Sequence, residues 1–167
     1  DGGFDKKEFY QFPERYKSVL SEYVNAADIY FACHLWKSGN PYLLTAEDLS
    51  RPEMNCKVIA DISCDVQGPI AATIKASTIA EPFFGYNPKT QQECDWRDND
   101  AVMVMSVDNL PCELPRDASE DFGNELLAHV IPGLLVDDHE MIKGGMETFE
   151  GQLTPAFSYL SDYANGK

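Results

Sequence analysis

Two short polar segments of this chain carry residue types that bind and orient ligands: Asp61-Ile-Ser-Cys-Asp65 and Ser106-Val-Asp-Asn-Leu-Pro111. Each follows an apolar, β-prone run, Cys56-Lys-Val-Ile-Ala60 before the first and Ala101-Val-Met-Val-Met105 before the second. Runs of this kind read as strands buried on both faces. In open α/β sheets, ligands bind at the carboxyl ends of such strands. Carboxylates and hydroxyls released there suit a small molecule bearing an amine or hydroxyl. Asp61, Ser63 and Asp65 alternate, so an uninterrupted strand would project all three to one side. Asp108 has a structural reading beside the functional one, as the cap of the turn into Leu110-Pro111. Asp65 has one too, as the start of a turn toward Gly68.

His34 closes a third apolar run, Asp28-Ile-Tyr-Phe-Ala-Cys-His-Leu35, where it would line a cofactor cleft or simply be half-buried. His129 falls on an expected helix and His139 follows Asp137-Asp138, so both read as surface residues. Cys33 and Cys64 are the candidate nucleophiles. Neither has a visible base partner, and both read as inert thiols.

Composition removes several function classes. With 28 acidic and 13 basic residues the formal net charge is −15, opposite in sign to a nucleic-acid footprint. No apolar run is long enough to span a bilayer. The five cysteines are odd in number, form no CxxC and match no zinc-ligand spacing, which points to reduced thiols in the cytoplasm and to no metal site. No GxGxxG, P-loop or G-x-S-x-G motif occurs. The opening residues, Asp1-Gly-Gly-Phe-Asp5, carry no initiator Met and read like the interior of a longer protein.

The elements that must position these residues alternate in type. Pro13 to Tyr23 has a helical spacing of Tyr16, Val19, Leu20 and Tyr23. Ala27 to Leu35 reads as a strand. Thr45, with Asp48 three residues on, reads as the cap of a short helix. Lys57 to Ser63 is the next strand, Ile70 to Ile79 is ambiguous, and Thr78 to Tyr86 is β-prone. That last run would form a hairpin with Val102–Val107, its tip carrying residues 91–100. Pro115 to Ile131 reads as a helix interrupted by Pro132-Gly133, and Thr154-Pro155 reads as the start of a last one docked by Phe157, Leu160 and Tyr163. The fold class is α/β: the second half of a Rossmann-like, mostly parallel sheet with a β-hairpin excursion and C-terminal helices.

Taken together, Phe12-Pro-Glu-Arg-Tyr-Lys-Ser18, Phe31-Ala-Cys-His-Leu-Trp36, Asp61-Ile-Ser-Cys-Asp65, Thr78-Ile79 with Pro82-Phe83, and Ser106-Val-Asp-Asn-Leu-Pro111 with Leu114-Pro-Arg-Asp-Ala-Ser119 are similar to the saccharopine dehydrogenase and lysine–ketoglutarate reductase family. This family is related to alanine dehydrogenase. The pieces occur in the family's order, and the resemblance is to its carboxyl-terminal part. It implies an NAD- or NADP-dependent oxidoreductase acting on the C–N bond of saccharopine, made from lysine and 2-oxoglutarate. By resemblance, Val107, Asp108, Asn109 and Leu110 border the nicotinamide. His34 and Leu35 border the cofactor, although His34-Leu35 departs from the family's pattern. Ser63, Cys64 and Asp65 face the amino-acid or 2-oxo-acid substrate. Residues 1–113 would be a partial nucleotide-binding half, and 114–167 a helical segment returning toward a substrate lobe. The family's catalytic Lys and His belong to an amino-terminal lobe without a counterpart here, so the resemblance assigns no catalytic residue. It implies a partner in the remaining, amino-terminal part of the same enzyme and no turnover by this segment alone. The rival readings are an alanine-dehydrogenase-like enzyme and a non-catalytic module binding an amino acid or a partner protein.

Overall fold

The computed structural model describes residues 3–136 and 139–166. Asp1, Gly2, Asp137, Asp138 and Lys167 lie outside the described residues. The chain forms two units, residues 1–113 and 114–167.

The first unit is built on a five-stranded sheet. Its strands are β1 (Ile29–Ala32), β2 (Val58–Asp61), β3 (Phe83–Asn87), β4 (Gln92–Cys94) and β5 (Val102–Met105). They lie in the order β1-β2-β5-β3-β4. β1, β2 and β5 run parallel, while β3 is antiparallel to β5 and β4 antiparallel to β3. The sheet is α/β in character and mostly parallel, with the hairpin excursion on one flank. That excursion differs in detail from the sequence expectation. Residues 92–94, expected in a polar tip, form a strand of their own, because Gln92 to Cys94 folds back on Gly85 to Asn87.

Pairing register explains where the core sits. Tyr30, Ile59, Val104 and Phe84 lie level across four strands, and Tyr86 pairs with Val102. Ile59, Phe84, Tyr86, Val102 and Val104 are buried on this face, under Val24, Leu44, Leu49, Met54, Cys56, Ile70 and Ala72. Removing a Val or Ile side chain of this kind from water contributes about 1.5–3 kcal/mol. The residues between them, Ile29, Phe31, Val58, Met103, Met105 and Phe83, alternate to the other face of the pleat. Of these, Ile29, Phe31 and Phe83 are exposed.

Helix α1 (Lys6–Gln11) starts at Asp5, whose carboxylate accepts from the Lys7 and Glu8 N–H groups. The single helix expected over 13–23 is instead a 3-10 turn at Pro13–Arg15 and a short α2 (Leu20–Val24). Tyr16 is extended between them, and the Ser18 hydroxyl explains the restart: it donates to Leu43 O and accepts from Leu20 N–H. Helix α3 (Ala46–Leu49) has the expected capping box, with Thr45 and Asp48 bonded reciprocally. Residues 70–79 form neither helix nor strand. They run in turns tied by single parallel bridges, Leu44 to Ile70 and Ser77 to Val107.

The second unit contains α4 (Pro115–Glu125), a π turn at Leu126–Val130, α5 (Ile131–Leu134) and α6 (Glu140–Gly145). Strands β6 (Thr148–Phe149) and β7 (Gln152–Leu153) form a hairpin, followed by a 3-10 stretch at Pro155–Leu160 and α7 (Ser161–Ala164). Pro132-Gly133 does not break the helix as expected. The π turn widens the chain, with the Ile131 N–H bonded to Leu126 O, and so absorbs the hydrogen bond that Pro132 cannot make. Thr154 does not cap: its hydroxyl donates to Met146 O at 2.6 Å. Tyr163 does not dock either, being 84% exposed.

Candidate functional site at the strand ends

Because β1, β2 and β5 are parallel neighbours, their carboxyl ends fall side by side. Two side chains then staple them. The Ser63 hydroxyl accepts from the His34 N–H at 3.1 Å and donates to Ala32 O at 3.2 Å, joining the ends of β1 and β2. The Cys64 thiol donates to Ser106 O at 3.1 Å, joining the ends of β2 and β5. Ser106 is anchored in turn: its N–H donates to the Ser77 hydroxyl and its own hydroxyl donates to Lys75 O. Asp65 and Asp108 therefore emerge into the same neighbourhood.

The alternation expected of Asp61, Ser63 and Asp65 does not hold. β2 ends at Asp61, and Cys64 turns the chain with a φ of +51°. That left-handed conformation costs a non-glycine residue roughly 1–2 kcal/mol. It is held by Asp61, whose carboxylate accepts from the Cys64 N–H at 3.1 Å and from the Thr73 hydroxyl at 2.6 Å. Asp61 and Thr73 are fully buried. Asp61 thus lies beneath the site and shapes it, while Ser63, Cys64 and Asp65 are partly exposed above. The turn closes tightly at Gly68, whose N–H donates to Asp65 O. A Cβ on Gly68 would stand 2.6 Å from Asp65 O and from Asp65 Cβ.

The site is electronegative. Burial first, and then the carboxylates of Asp61, Asp108 and Asp65, push the Cys64 thiol above its ordinary pKa. A thiol so placed is a poor nucleophile, since reactive cysteines need an electropositive surrounding. That one thiol feels both Asp65 and Asp108 is the electrostatic counterpart of their convergence.

Asp108 and Asn109 are exposed, and Leu110 is half-buried at the start of a 3-10 turn, Leu110–Glu113. Val107 is 3% exposed, so it offers a ligand its backbone rather than its side chain. Leu35 is wholly exposed, while His34 is half-buried. Both ring nitrogens of His34 are buried and have no hydrogen-bond partner among the described residues. Buried polar atoms are paired in folded proteins. Only the backbone N–H of His34 is tied to Ser63. The carboxylate of Asp108 and the backbone of residues 107–110 lie at the strand ends, where the family resemblance implies a nicotinamide cofactor. Among the described residues no group of three His, Cys, Asp or Glu side chains could hold a metal ion.

Sequence reasoning missed the supports, Thr73 and Ser77. Both lie in the stretch whose secondary structure was ambiguous. Thr73 had a signal, a hydroxyl placed within an apolar run (Ile70-Ala-Ala-Thr-Ile74), which seldom occurs without a buried partner; Ser77, after Lys75-Ala76, had none.

The five cysteines are free, with Cys33 and Cys112 exposed and Cys56 buried. No helix among the described residues is long and apolar enough to cross a membrane.

Comparison with known proteins gives the arrangement a family. No family model matches the chain. It is 32% identical to alpha-aminoadipic semialdehyde synthase of Arabidopsis thaliana over 94% of its length. It is 29% identical to the mouse protein named alpha-aminoadipic semialdehyde synthase, mitochondrial, over 96% of its length. It is 29% identical over 65% of its length to Neurospora crassa saccharopine dehydrogenase [NAD(+), L-lysine-forming]. The chain spans 16%, 20% and 28% of the lengths of these three relatives. From 32% and 29% identity to these relatives along nearly the whole chain, the chain belongs to the saccharopine dehydrogenase and alpha-aminoadipic semialdehyde synthase family.

Proposed function

We propose that this segment forms one wall of a nicotinamide-dependent dehydrogenase site that works on the C–N bond of saccharopine. The observation that carries this reading is the convergence of His34, Ser63–Asp65 and Ser106–Asp108 at one end of three parallel strands, tied by the Ser63 and Cys64 side chains. Val107 to Leu110, with His34 and Leu35, border NAD or NADP. Ser63, Cys64 and Asp65 face the amino-acid end of the substrate. The carboxylates of Asp65 and Asp108 favour an ammonium or iminium nitrogen over an anion, which suits the lysine-derived end of the molecule. The bound cofactor supplies the hydride chemistry. The chain's own contribution is to hold the reacting groups in position, an effect worth several kcal/mol in well-oriented sites.

Phosphate binding falls to polypeptide outside these 167 residues, since no glycine-rich turn occurs in them, and the family resemblance puts acid–base catalysis there as well. That polypeptide is the partner, and residues 114–167 lead toward its substrate lobe. The free thiols suit a reducing compartment such as the cytoplasm.

The test is spectrophotometric. The 167-residue chain alone should show no lysine- or saccharopine-dependent change in NAD(P)H absorbance. The Arabidopsis relative with this chain exchanged for its matching segment should show one, and Asp108→Asn should lower it at least about ten-fold. Turnover by the chain alone, or full activity of the Asp108→Asn variant, overturns the reading.

A further inference from the structure

One cavity of the first unit has no charged side chain in its lining among the described residues. It encloses about 480 Å³, and Tyr42, Gln67, Ala71, Ile74, Tyr86 and Gln91 form its walls. That volume lies within the roughly 300–1,000 Å³ of small-molecule sites. None of the residues assigned to the strand-end site lines it. Tyr86 pairs with Val102 at the amino end of β5, whereas Ser106–Asp108 leave the carboxyl end.

Tyr86 is the informative wall. It is 1% exposed, yet among the described residues its hydroxyl has no hydrogen-bond partner. Buried phenols are normally paired. The fully enclosed orphan atoms of the described residues belong to His34 and His139. The Tyr86 hydroxyl is not one of them, so the little surface that Tyr86 keeps includes its oxygen, which faces the cavity. Burial alone raises its pKa above the ordinary value, so the phenol keeps its proton and can donate as well as accept. Gln67 and Gln91 are both exposed, and their side-chain amides are unbonded among the described residues. Each amide offers two donors and one acceptor. The Tyr42 hydroxyl donates to Gln67 O at 3.3 Å, which holds its ring beside this group. Ala71 and Ile74 supply an apolar wall.

We propose that this cavity binds an uncharged polyhydroxylated molecule of monosaccharide size, whose hydroxyls complete Tyr86 and the amides of Gln67 and Gln91. An anion finds no cation here, in a chain of net charge −15. A cation finds no carboxylate to offset its loss of water. The three polar groups come from separate segments, the turn after β2, strand β3 and the turn before β4. A planar heterocycle confines its donors and acceptors to one plane and meets such a set poorly. Hydroxyls spread around a saturated ring each donate and accept, so they satisfy phenol and amides alike. The C–H face of the ring then packs on Tyr42, Ala71 and Ile74. The site lies apart from the strand ends and does not depend on the dehydrogenase reading.

The experiment uses the 167-residue chain with three probes, glucose, galactose and myo-inositol, each titrated while the side-chain amides of Gln67 and Gln91 are followed by NMR. At least one probe is expected to shift both resonances saturably. Tyr86→Phe should weaken that binding at least about ten-fold. It should leave the urea midpoint unchanged or higher, because it removes only an unpartnered hydroxyl. Gln91→Ala should also weaken binding, and Arg15→Ala, which does not line the cavity, should leave it unchanged. The absence of a saturable shift with all three probes overturns the proposal, as does equal binding by Tyr86→Phe. A marked loss of stability in Tyr86→Phe overturns it too, since the hydroxyl would then have an internal partner. So does a shift of the same resonances by adenosine or nicotinamide where the three probes give none.

Discussion

The Cys64 thiol reaches across from the end of β2 to the carbonyl oxygen of Ser106 at the end of β5, 3.1 Å away. The same oxygen accepts the Ser77 N–H at 2.9 Å. Removing the thiol therefore leaves Ser106 O satisfied but unstaples the two strand ends. Cys64→Ala should lower stability by about 0.5–1 kcal/mol, and Cys64→Ser, which keeps a donor, by less. Urea denaturation midpoints of the two variants check this order.

The carboxylates around Cys64 make its titration a gauge of their convergence. Its thiol lies above the ordinary value through burial and through Asp61, Asp108 and Asp65. Its alkylation by iodoacetamide should therefore lag that of exposed Cys33 and Cys112 at mildly alkaline pH. Asp65→Asn and Asp108→Asn should each bring the titration down, though they lie on different strand ends. Because the folded value is raised, the linked stability is intact below the unfolded thiol value and declines as pH rises through the folded one. Mass-spectrometric alkylation rates against pH read both effects. A Cys64 rate indifferent to Asp108→Asn contradicts the geometry.

Asp61 and Thr73 form a buried pair whose loss should be costly. Asp61→Ala strands the Thr73 hydroxyl and the Cys64 N–H, and about 1–3 kcal/mol of stability should go with it. Thr73→Ser should be milder, because the hydroxyl is kept. Equilibrium unfolding of the two variants distinguishes this pair from a dispensable one.

Gly68→Ala should be poorly tolerated for a different reason. The added Cβ would meet backbone, Asp65 O at 2.6 Å, rather than a side chain that could swing away. Relaxation must move the turn that presents Asp65, at a cost of about 1–3 kcal/mol. A lowered denaturation midpoint, with shifted amide resonances for residues 63–68, is the expected outcome.

Acid should act on the α3 cap. Burial works to raise the Asp48 carboxyl, but hydrogen bonds from Thr45 and Ser21 and the Arg51 charge outweigh it, so its pKa falls below the ordinary value. The cap's contribution is thus complete above the unfolded carboxylate value, about 4, and lost as pH falls through the lower folded one. Thr45→Ala should cost about 1 kcal/mol at pH 7 and progressively less toward pH 2. Unfolding measured at both pH values tests the sign.

What could be read in the sequence was what repeats locally. The apolar runs ending at Asp61 and Ser106 stand out because interior strands of a sheet need them, although the face carrying Val58, Met103 and Met105 is only partly buried. The Thr45–Asp48 box is legible because both partners lie within one turn. The break between Tyr16 and Leu20 was hidden, since its cause, the Ser18 bond to Leu43 O, spans 25 residues. Asp61 was misread for a similar reason. Alternation marks a strand only while the strand lasts, and the left-handed Cys64 ends it through a bond that no pattern announces. The helical continuity through Pro132 was equally hidden, because a π turn leaves no mark in hydrophobic spacing.

β5, last of the five strands in sequence, lies between β2 and β3. The parallel pair β1–β2 and the hairpin β3–β4 therefore have no common sheet until residues 102–105 arrive to join them. On a ribosome, this sheet would remain two unjoined pieces for most of its synthesis. The meeting of its three parallel strand ends would come into being in a single late event, which makes those four residues the timekeepers of folding.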